Sequence, residues 1–317
     1  MNAAQRKVVV LGGGTMGSGV AMVFAGGGWD VQLVDPGAAV REALPARLAE
    51  GMARAGSSPE AAGRIRVVGA LTDVQWEGVE LVSESATEDL PLKRRIFAEL
   101  EALAPPAAVL SSNSSSYPIG EIAAGLKTRH RMLGLHFLMP AQFVPIVEVV
   151  CAAETDPALA DALVETMRGL GKRPVRVNKD LVGYLVNRIQ AALMREALDL
   201  VDKGVATAED VDAAVRYGFG FRYAVCGPIL QKEHSGWEIS TNLYRRVFPT
   251  LSNAQGPAKV LESMLAKGRH GMKTGGGFME WDATAIARER ERYENGLRAL
   301  LDLMENDRGR APAGGKK

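Results

Sequence analysis

The chain has 317 residues, is 47% hydrophobic and 24% charged, and carries a formal net charge of +1. That length suits two domains rather than one. The lack of a basic run argues against nucleic acid and anionic membrane as partners, and no apolar run reaches membrane-spanning length.

Lys7–Leu11 reads as a short buried strand that enters Gly12-Gly13-Gly14-Thr15-Met16-Gly17. An apolar helical stretch follows (Val20, Met22, Val23, Phe24) and closes at Gly26-Gly27-Gly28. A second strand, Val31–Val34, ends on Asp35, 18 residues beyond Gly17. This is G-x-G-x-x-G in the setting that makes it a dinucleotide site: strand before, helix after, acid at the right remove. Gly12 permits the tight turn, Gly14 lets backbone approach a pyrophosphate, and Gly17 lets helix and strand pack closely. Thr15 and Met16 open the helix whose N-terminus faces the phosphate charge. Asp35 is expected on the ribose hydroxyls, which favours NAD over NADP. The plainer alternative for Asp35 is a strand-end acid capping a turn.

Strand and helix continue to alternate. A helical segment carries Val40, Leu44, Leu48 and Met52, and short strands follow near Val67-Val68 and Leu81–Ser83. Helix Leu90–Leu103 leads to strand Ala108–Ser111, and helix Ile119–Leu126 leads to strand Met132–Leu135. The apolar run Val144–Val150, helix Pro157–Leu170 and strand Pro174–Val177 complete this part. The pattern predicts an α/β Rossmann domain, a doubly wound and mostly parallel sheet, over residues 1–181. From Gly183 to Val201 the apolar spacing turns helical. Further helical segments over Ala208–Tyr217, Ala258–Ala266 and Ala285–Met304, with a broken region up to Phe248, predict an all-helical second domain, 182–317. Residues 306–317 read as a disordered tail.

No signal-peptide-like apolar stretch precedes Lys7. Cys151 and Cys226 are far apart and form no C-x-x-C, as expected of inert thiols in a reduced cytoplasm. The four histidines show no metal-ligand spacing, so no metal is expected.

Polar groups at the ends of the later strands carry the candidate chemistry. Strand Ala108–Ser111 opens onto Ser112-Asn113-Ser114-Ser115-Ser116, and strand Met132–Leu135 ends on His136. Glu148 lies within an apolar stretch, where a carboxylate is costly unless paired, and His136 is an available partner. Asn187-Arg188 interrupts an apolar helical face. Each has a plainer reading. His136 fits a hydrogen-bonded core histidine, and Glu148 fits a solvent-facing acid on an edge strand. The serines fit a turn with a helix cap, and Asn187 fits a helix–helix hydrogen bond.

The chain resembles the 3-hydroxyacyl-CoA dehydrogenase family from residue 7 to about 281. The resemblance rests on several motifs in order: the glycine turn with Asp35, Glu84-Ser85-Ala86-Thr87-Glu88 with Lys93, Ser112-Asn113-Ser114-Ser115, and His136-Phe137 with Pro140. Glu148, Gly183-Tyr184-Leu185-Val186-Asn187-Arg188, Gly227-Pro228 and Lys273–Phe278 complete the set. The resemblance implies His136 as general base, Glu148 as its orienting acid, and Ser115 and Asn187 as donors to the substrate oxygen. It implies cofactor contacts at Gly12, Gly14, Thr15, Met16, Gly17, Asp35, Ala86, Glu88, Lys93, Asn113, Ser115 and Lys273. NAD as cofactor, a small-molecule substrate and a homodimer are the corresponding expectations.

Three departures bear on the substrate. Met139 stands where the family usually has an asparagine. No lysine occurs between Lys7 and Lys93, where the short acyl-CoA enzymes carry lysines for the CoA phosphates. Arg41, Arg47 and Arg54, interleaved with Glu42 and Glu50, read as a solvated face. Gly220–Ala224 before Gly227-Pro228 resembles the lambda-crystallin and L-gulonate dehydrogenase branch, whose substrates lack CoA. Arg222 is therefore a candidate carboxylate clamp, with a surface arginine as the plain alternative. The polar stretch Gln231–Trp237 is a candidate second lining. The sequence supports NAD-dependent oxidation of a 3-hydroxy acid or its CoA thioester. A free carboxylated alcohol as substrate, or a non-catalytic NAD-binding protein, stand as rivals.

Overall fold

The computed structural model describes residues 5–306. Of the tail expected over residues 306–317, Asn306 is helical and the remainder lies outside the described residues. The chain divides into two compact units between Arg188 and Ile189.

The first unit alternates strand and helix: β1 (Lys7–Leu11), α1 (Thr15–Gly26), β2 (Asp30–Val34), α2 (Ala38–Arg54), α3 (Pro59–Ala62), β3 (Ile65–Val68) and β4 (Val79–Glu84). Then come α4 (Leu90–Leu103), β5 (Val109–Ser112), α5 (Ile119–Ile122), β6 (Met132–Phe137), β7 (Ile146–Val150), α6 (Pro157–Gly169) and β8 (Arg173–Val177). The strands form one sheet in the order β3-β2-β1-β4-β5-β6-β7-β8. β1 to β6 run parallel, β7 is antiparallel to β6, and β8 follows β7.

Both faces of the sheet are covered, so its central strands are mostly apolar, while the edge strands β3 and β8 carry exposed arginines. Val8 and Val10 face one cluster with Phe24, Leu44 and Leu163, while Val9 and Leu11 face another with Phe97, Leu100 and Ile119. Burying a side chain such as Phe97 contributes about 1.5–3 kcal/mol. α4 starts sharply because the Asp89 carboxylate accepts from Leu92 N and Pro91 sits in the first turn. The strand order reverses at β1, which has β2 on one side and β4 on the other. The crevice beyond the carboxyl ends of β1 and β4 is where such sheets bind nucleotides.

α7 (Val186–Asp202) carries the chain across the division. The second unit continues with α8 (Ala208–Ala213), a π-helical turn (Ala214–Phe219) kinked at Gly218, α9 (Gly220–Tyr223), α10 (Pro228–Ser235), α11 (Trp237–Val247), α12 (Lys259–Ala266) and α13 (Ala283–Asn306). It is helical, as expected. None of the hydrophobic side chains described from residue 189 onward is buried. No helix among the described residues is long and apolar enough to cross a membrane.

Some boundaries differ from expectation. The helix foreseen from Gly183 starts at Val186, because Gly183 and Tyr184 hold φ of +76° and +45°, outside a right-handed helix. The helix foreseen to Leu126 ends at Ile122 before Gly125, at φ +88°. The region read as broken up to Phe248 contains three helices, α9 to α11.

Candidate active site

The glycine turn is built as its spacing requires. A Cβ on Gly12 would lie 2.6 Å from the Ser85 carbonyl oxygen, and one on Gly17 would lie 1.7 Å from the Gly12 carbonyl oxygen. Gly14 faces open space, with nothing within 4 Å of a Cβ placed there. Thr15 is exposed and Met16 half-buried at the start of α1. Asp35 braces the turn: its two carboxylate oxygens accept from Gly13 N at 2.7 Å and Gly37 N at 2.8 Å. Each oxygen keeps a further lone pair for a ribose hydroxyl. A cavity of about 670 Å³ adjoins, lined by Gly12, Gly14, Asp35, Ser85, Ala86 and Thr87 among others. These residues fit a dinucleotide: a carboxylate, a bare turn and an apolar slot in one place.

Arg41, half-buried, departs from the solvated face read from the sequence, while Arg47 stays exposed on it but also reaches the backbone. Arg41 donates to the Asp35 and Pro36 carbonyl oxygens, both at 2.8 Å, and Arg47 donates to the Gly13 carbonyl oxygen at 2.8 Å. Arg54 pairs with Glu50 on the surface, as expected.

Beside the turn lies a buried charge network. Lys93, 1% exposed, donates to Glu84 Oε1 at 2.8 Å and reaches Glu88 Oε2 at 3.2 Å and the Ala86 carbonyl oxygen at 3.4 Å. Ala86 N donates to Glu84 Oε1, and Ser112 Oγ donates to Glu84 Oε2 at 2.6 Å. Glu88 Oε1 accepts from Ser114 Oγ, Ser115 N, Ser116 N and Ser116 Oγ at 2.6–3.0 Å. Burial works against the Glu88 charge, but the Ser114 and Ser116 bonds and Lys93 prevail and pull its pKa down to about 2. The serine stretch is thus a turn wound round a carboxylate. Ser115 is half-buried, and its hydroxyl makes no hydrogen bond among the described residues. Asn113 Oδ1 accepts from Phe137 N at 2.7 Å, which ties this turn to the end of β6.

His136 and Glu148 face each other directly across the antiparallel β6–β7 pair. His136 Nδ1 lies 2.7 Å from Glu148 Oε2, with both residues buried. Glu148 Oε1 accepts from Leu185 N at 2.8 Å and Val186 N at 2.9 Å. Burial raises the Glu148 pKa, yet the His136 bond and the two amides outweigh it and leave the carboxyl below its ordinary range. An ionised Glu148 takes the Nδ1 proton of His136 as its hydrogen-bond donor, which leaves Nε2 as a free acceptor. Asn187 is half-buried in the first turn of α7, next to the amides that bind Glu148.

In the second unit, Arg222 is exposed on α9. Lys273 is exposed in a short turn that Thr274 and Arg269 brace through the carbonyls of Gly271 and Gly277. In the Gln231–Trp237 stretch the Trp237 indole donates to Glu233 at 2.5 Å. Sequence reasoning missed Tyr184 and the anchoring role of Glu84. Glu84 had a signal, an acid ending the strand beside the glycine strand; Tyr184 had none beyond the preceding glycine.

Residues 7–181 match the family model described as 3-hydroxyacyl-CoA dehydrogenase, NAD binding domain, and residues 183–281 match that of its C-terminal domain. The chain belongs to the 3-hydroxyacyl-CoA dehydrogenase family. This is a family of NAD-dependent dehydrogenases, and NAD is the cofactor. The chain is similar to 5-formyl-3-hydroxy-2-methylpyridine 4-carboxylate 5-dehydrogenase of Mesorhizobium japonicum, 30% identical over 308 residues, covering 95% of this chain and 99% of that one. It is 36% identical over 287 residues to 3-hydroxybutyryl-CoA dehydrogenase of Mycobacterium tuberculosis, covering 88% and 99%. A crystal structure of a 5-formyl-3-hydroxy-2-methylpyridine 4-carboxylic acid 5-dehydrogenase, described as an NAD+-dependent dismutase, superposes with a TM-score of 0.89 at 28% identity, covering 95% and 99%. Relatives in this family thus act on CoA esters and on substrates without CoA.

Proposed function

We propose that this chain transfers hydride between NAD and the 3-hydroxyl of a small carboxylated substrate, a 3-hydroxy acid and its 3-keto product, with His136 as general base. The observation that carries this reading is the 2.7 Å bond between His136 Nδ1 and Glu148 Oε2. Oxidation of a secondary alcohol needs a base for the hydroxyl proton as hydride leaves carbon. His136 Nε2 takes that proton, and the ionised Glu148 stabilises the imidazolium that forms. Ser115 Oγ and Asn187 donate to the developing carbonyl oxygen and fix the carbon in place. NAD, when bound, supplies the hydride acceptor. Gly12, Gly14, Thr15, Met16, Gly17, Asp35 and Ala86 hold it, with Asn113 and Lys273 as further contacts. Glu88 and Lys93 set the serine turn beside it.

In this reading residues 1–181 are the main cofactor-binding domain and carry the base, and 182–317 add substrate contacts and form a homodimer. What supports the dimer is the helical unit itself, whose apolar side chains stay uncovered in one copy. Burial of such surface contributes about 25 cal/mol per Å².

A free acid is favoured because Arg41 is tied to the Asp35 and Pro36 carbonyls, Arg47 to the Gly13 carbonyl, and no lysine lies between Lys7 and Lys93 to meet CoA phosphates. Arg222 is the clamp for the carboxylate. A second reading, a CoA thioester, draws on the 36% identity to a 3-hydroxybutyryl-CoA dehydrogenase. A spectrophotometric screen of NAD reduction over 3-hydroxy acids and 3-hydroxyacyl thioesters decides between them. The free-acid reading predicts turnover of acids, with KM raised about ten-fold or more by Arg222→Ala. Turnover of thioesters alone, indifferent to Arg222→Ala, would establish the second reading. NAD binding with no turnover on either class would leave a non-catalytic protein.

A further inference from the structure

Among the described residues, Tyr184 is the one non-glycine residue at positive φ, +45°, directly after Gly183 at +76°. An L side chain in that region crowds the neighbouring carbonyl, a cost that glycine avoids. The position nevertheless carries a tyrosine, 2% exposed. Its ring meets that of His136 edge-on, with centroids 5.4 Å apart and planes at 64°. Its hydroxyl donates to the Tyr117 carbonyl oxygen at 3.3 Å, and Tyr117 N in turn donates to Ser114 Oγ in the serine turn. Burial first, then the carboxylates of Asp180, Glu88, Glu148 and Glu84, hold the phenol well above its usual pKa, so it stays a neutral donor. The next two amides, Leu185 and Val186, are the ones that bind Glu148.

We propose that Tyr184 is a positioning residue whose ring fixes the imidazole plane of His136 while its left-handed backbone turns the Leu185 and Val186 amides onto Glu148. With a single bond at Nδ1 the imidazole can still rock about its Cβ–Cγ bond, which would carry Nε2 off the substrate hydroxyl. An aromatic edge against the ring removes that freedom, and small misplacements of a base cost rate steeply. A flexible aliphatic side chain fills the volume but offers no flat edge. Anchoring Glu148 through its second oxygen completes the arrangement, so a single turn holds both members of the pair. The inference rests on the reading of His136 as the base and adds the device that aims it.

The test compares Tyr184→Leu, Tyr184→Phe and His136→Asn in the full chain. The readouts are kcat, KM and the NAD dissociation constant, with binding stoichiometry, on a substrate turned over by the wild type. Tyr184→Leu is expected to lower kcat about ten-fold or more while KM and NAD binding stay within about two-fold. Tyr184→Phe, which keeps ring and turn, is expected to return kcat to within about three-fold of wild type. Wild-type kcat in Tyr184→Leu, equal losses in both Tyr184 variants, or a matching loss of NAD-binding sites would overturn the positioning role. His136→Asn separates the two layers. If it turns over normally the base assignment itself fails, whereas if it is inactive and Tyr184→Leu is fast, only the role of Tyr184 fails.

Discussion

At Glu88, four donors from one turn converge on a single carboxylate oxygen, and the geometry of Ser115 depends on them. Its folded pKa of about 2 lies below the ordinary 4.5. The unfolded chain therefore binds the proton more readily. The stability this group contributes is complete above pH 4.5 and is lost as pH falls towards 2. Glu88→Gln should flatten the pH dependence of the unfolding free energy across that window, as measured by urea denaturation at a series of pH values; an unchanged slope would contradict the assignment. Lys93→Met tests the deeper layer, since it leaves Glu84 buried without its ammonium. A loss of about 3–5 kcal/mol in urea unfolding is expected, and a substitution without effect on stability would contradict the role of this ion pair. At this scale the sequence was readable only where polarity interrupts an apolar strand. His136 and Glu148 stood out for that reason. Their pairing was expected as well, but not their direct opposition across two strands, which depends on β7 running antiparallel to β6; alternation within a strand says nothing of its direction.

Among the elements, the β1–α1 turn is the most constrained. Gly17→Ala would place a methyl 1.7 Å from the Gly12 carbonyl oxygen, backbone that cannot swing aside. NAD binding followed by protein fluorescence should be lost, and retained affinity would show that the turn relaxes. Asp35→Ala removes the acceptor for Gly13 N and Gly37 N while leaving the Arg41 guanidinium at the same edge. NAD should bind more weakly and the preference over NADP should narrow, since a carboxylate no longer repels a 2′-phosphate. An unchanged cofactor preference would remove Asp35 from that role. The glycine turn and the strands were legible because their signals are local: period, glycine spacing and a terminal acid. The start of α7 was not, since nothing in its apolar spacing marks Tyr184 as left-handed. α10 and α11 were hidden for a different reason. Gly227-Pro228 and Gly236 cut the segment into short pieces around a polar stretch, although Ile239 and Leu243 keep helical spacing in α11.

For the whole molecule, the first unit has a conventional two-sided core, whereas the second buries none of its described hydrophobic side chains from residue 189 onward. Ile189, Phe221, Ile239 and Leu303 are each more than half exposed. Surface of this kind is covered in stable proteins, and a homodimer is the expected outcome. Sedimentation equilibrium should give twice the chain mass at micromolar concentration, and a monomer that unfolds cooperatively would contradict this. The proposed chemical step is removal of a hydroxyl proton by His136 while hydride passes to NAD. The most direct test is kcat and NAD affinity for His136→Asn on the best wild-type substrate. The account predicts kcat lower by about 10²–10⁴-fold with the NAD dissociation constant unchanged. Turnover near the wild-type rate, or NAD affinity lost in step with kcat, would contradict it.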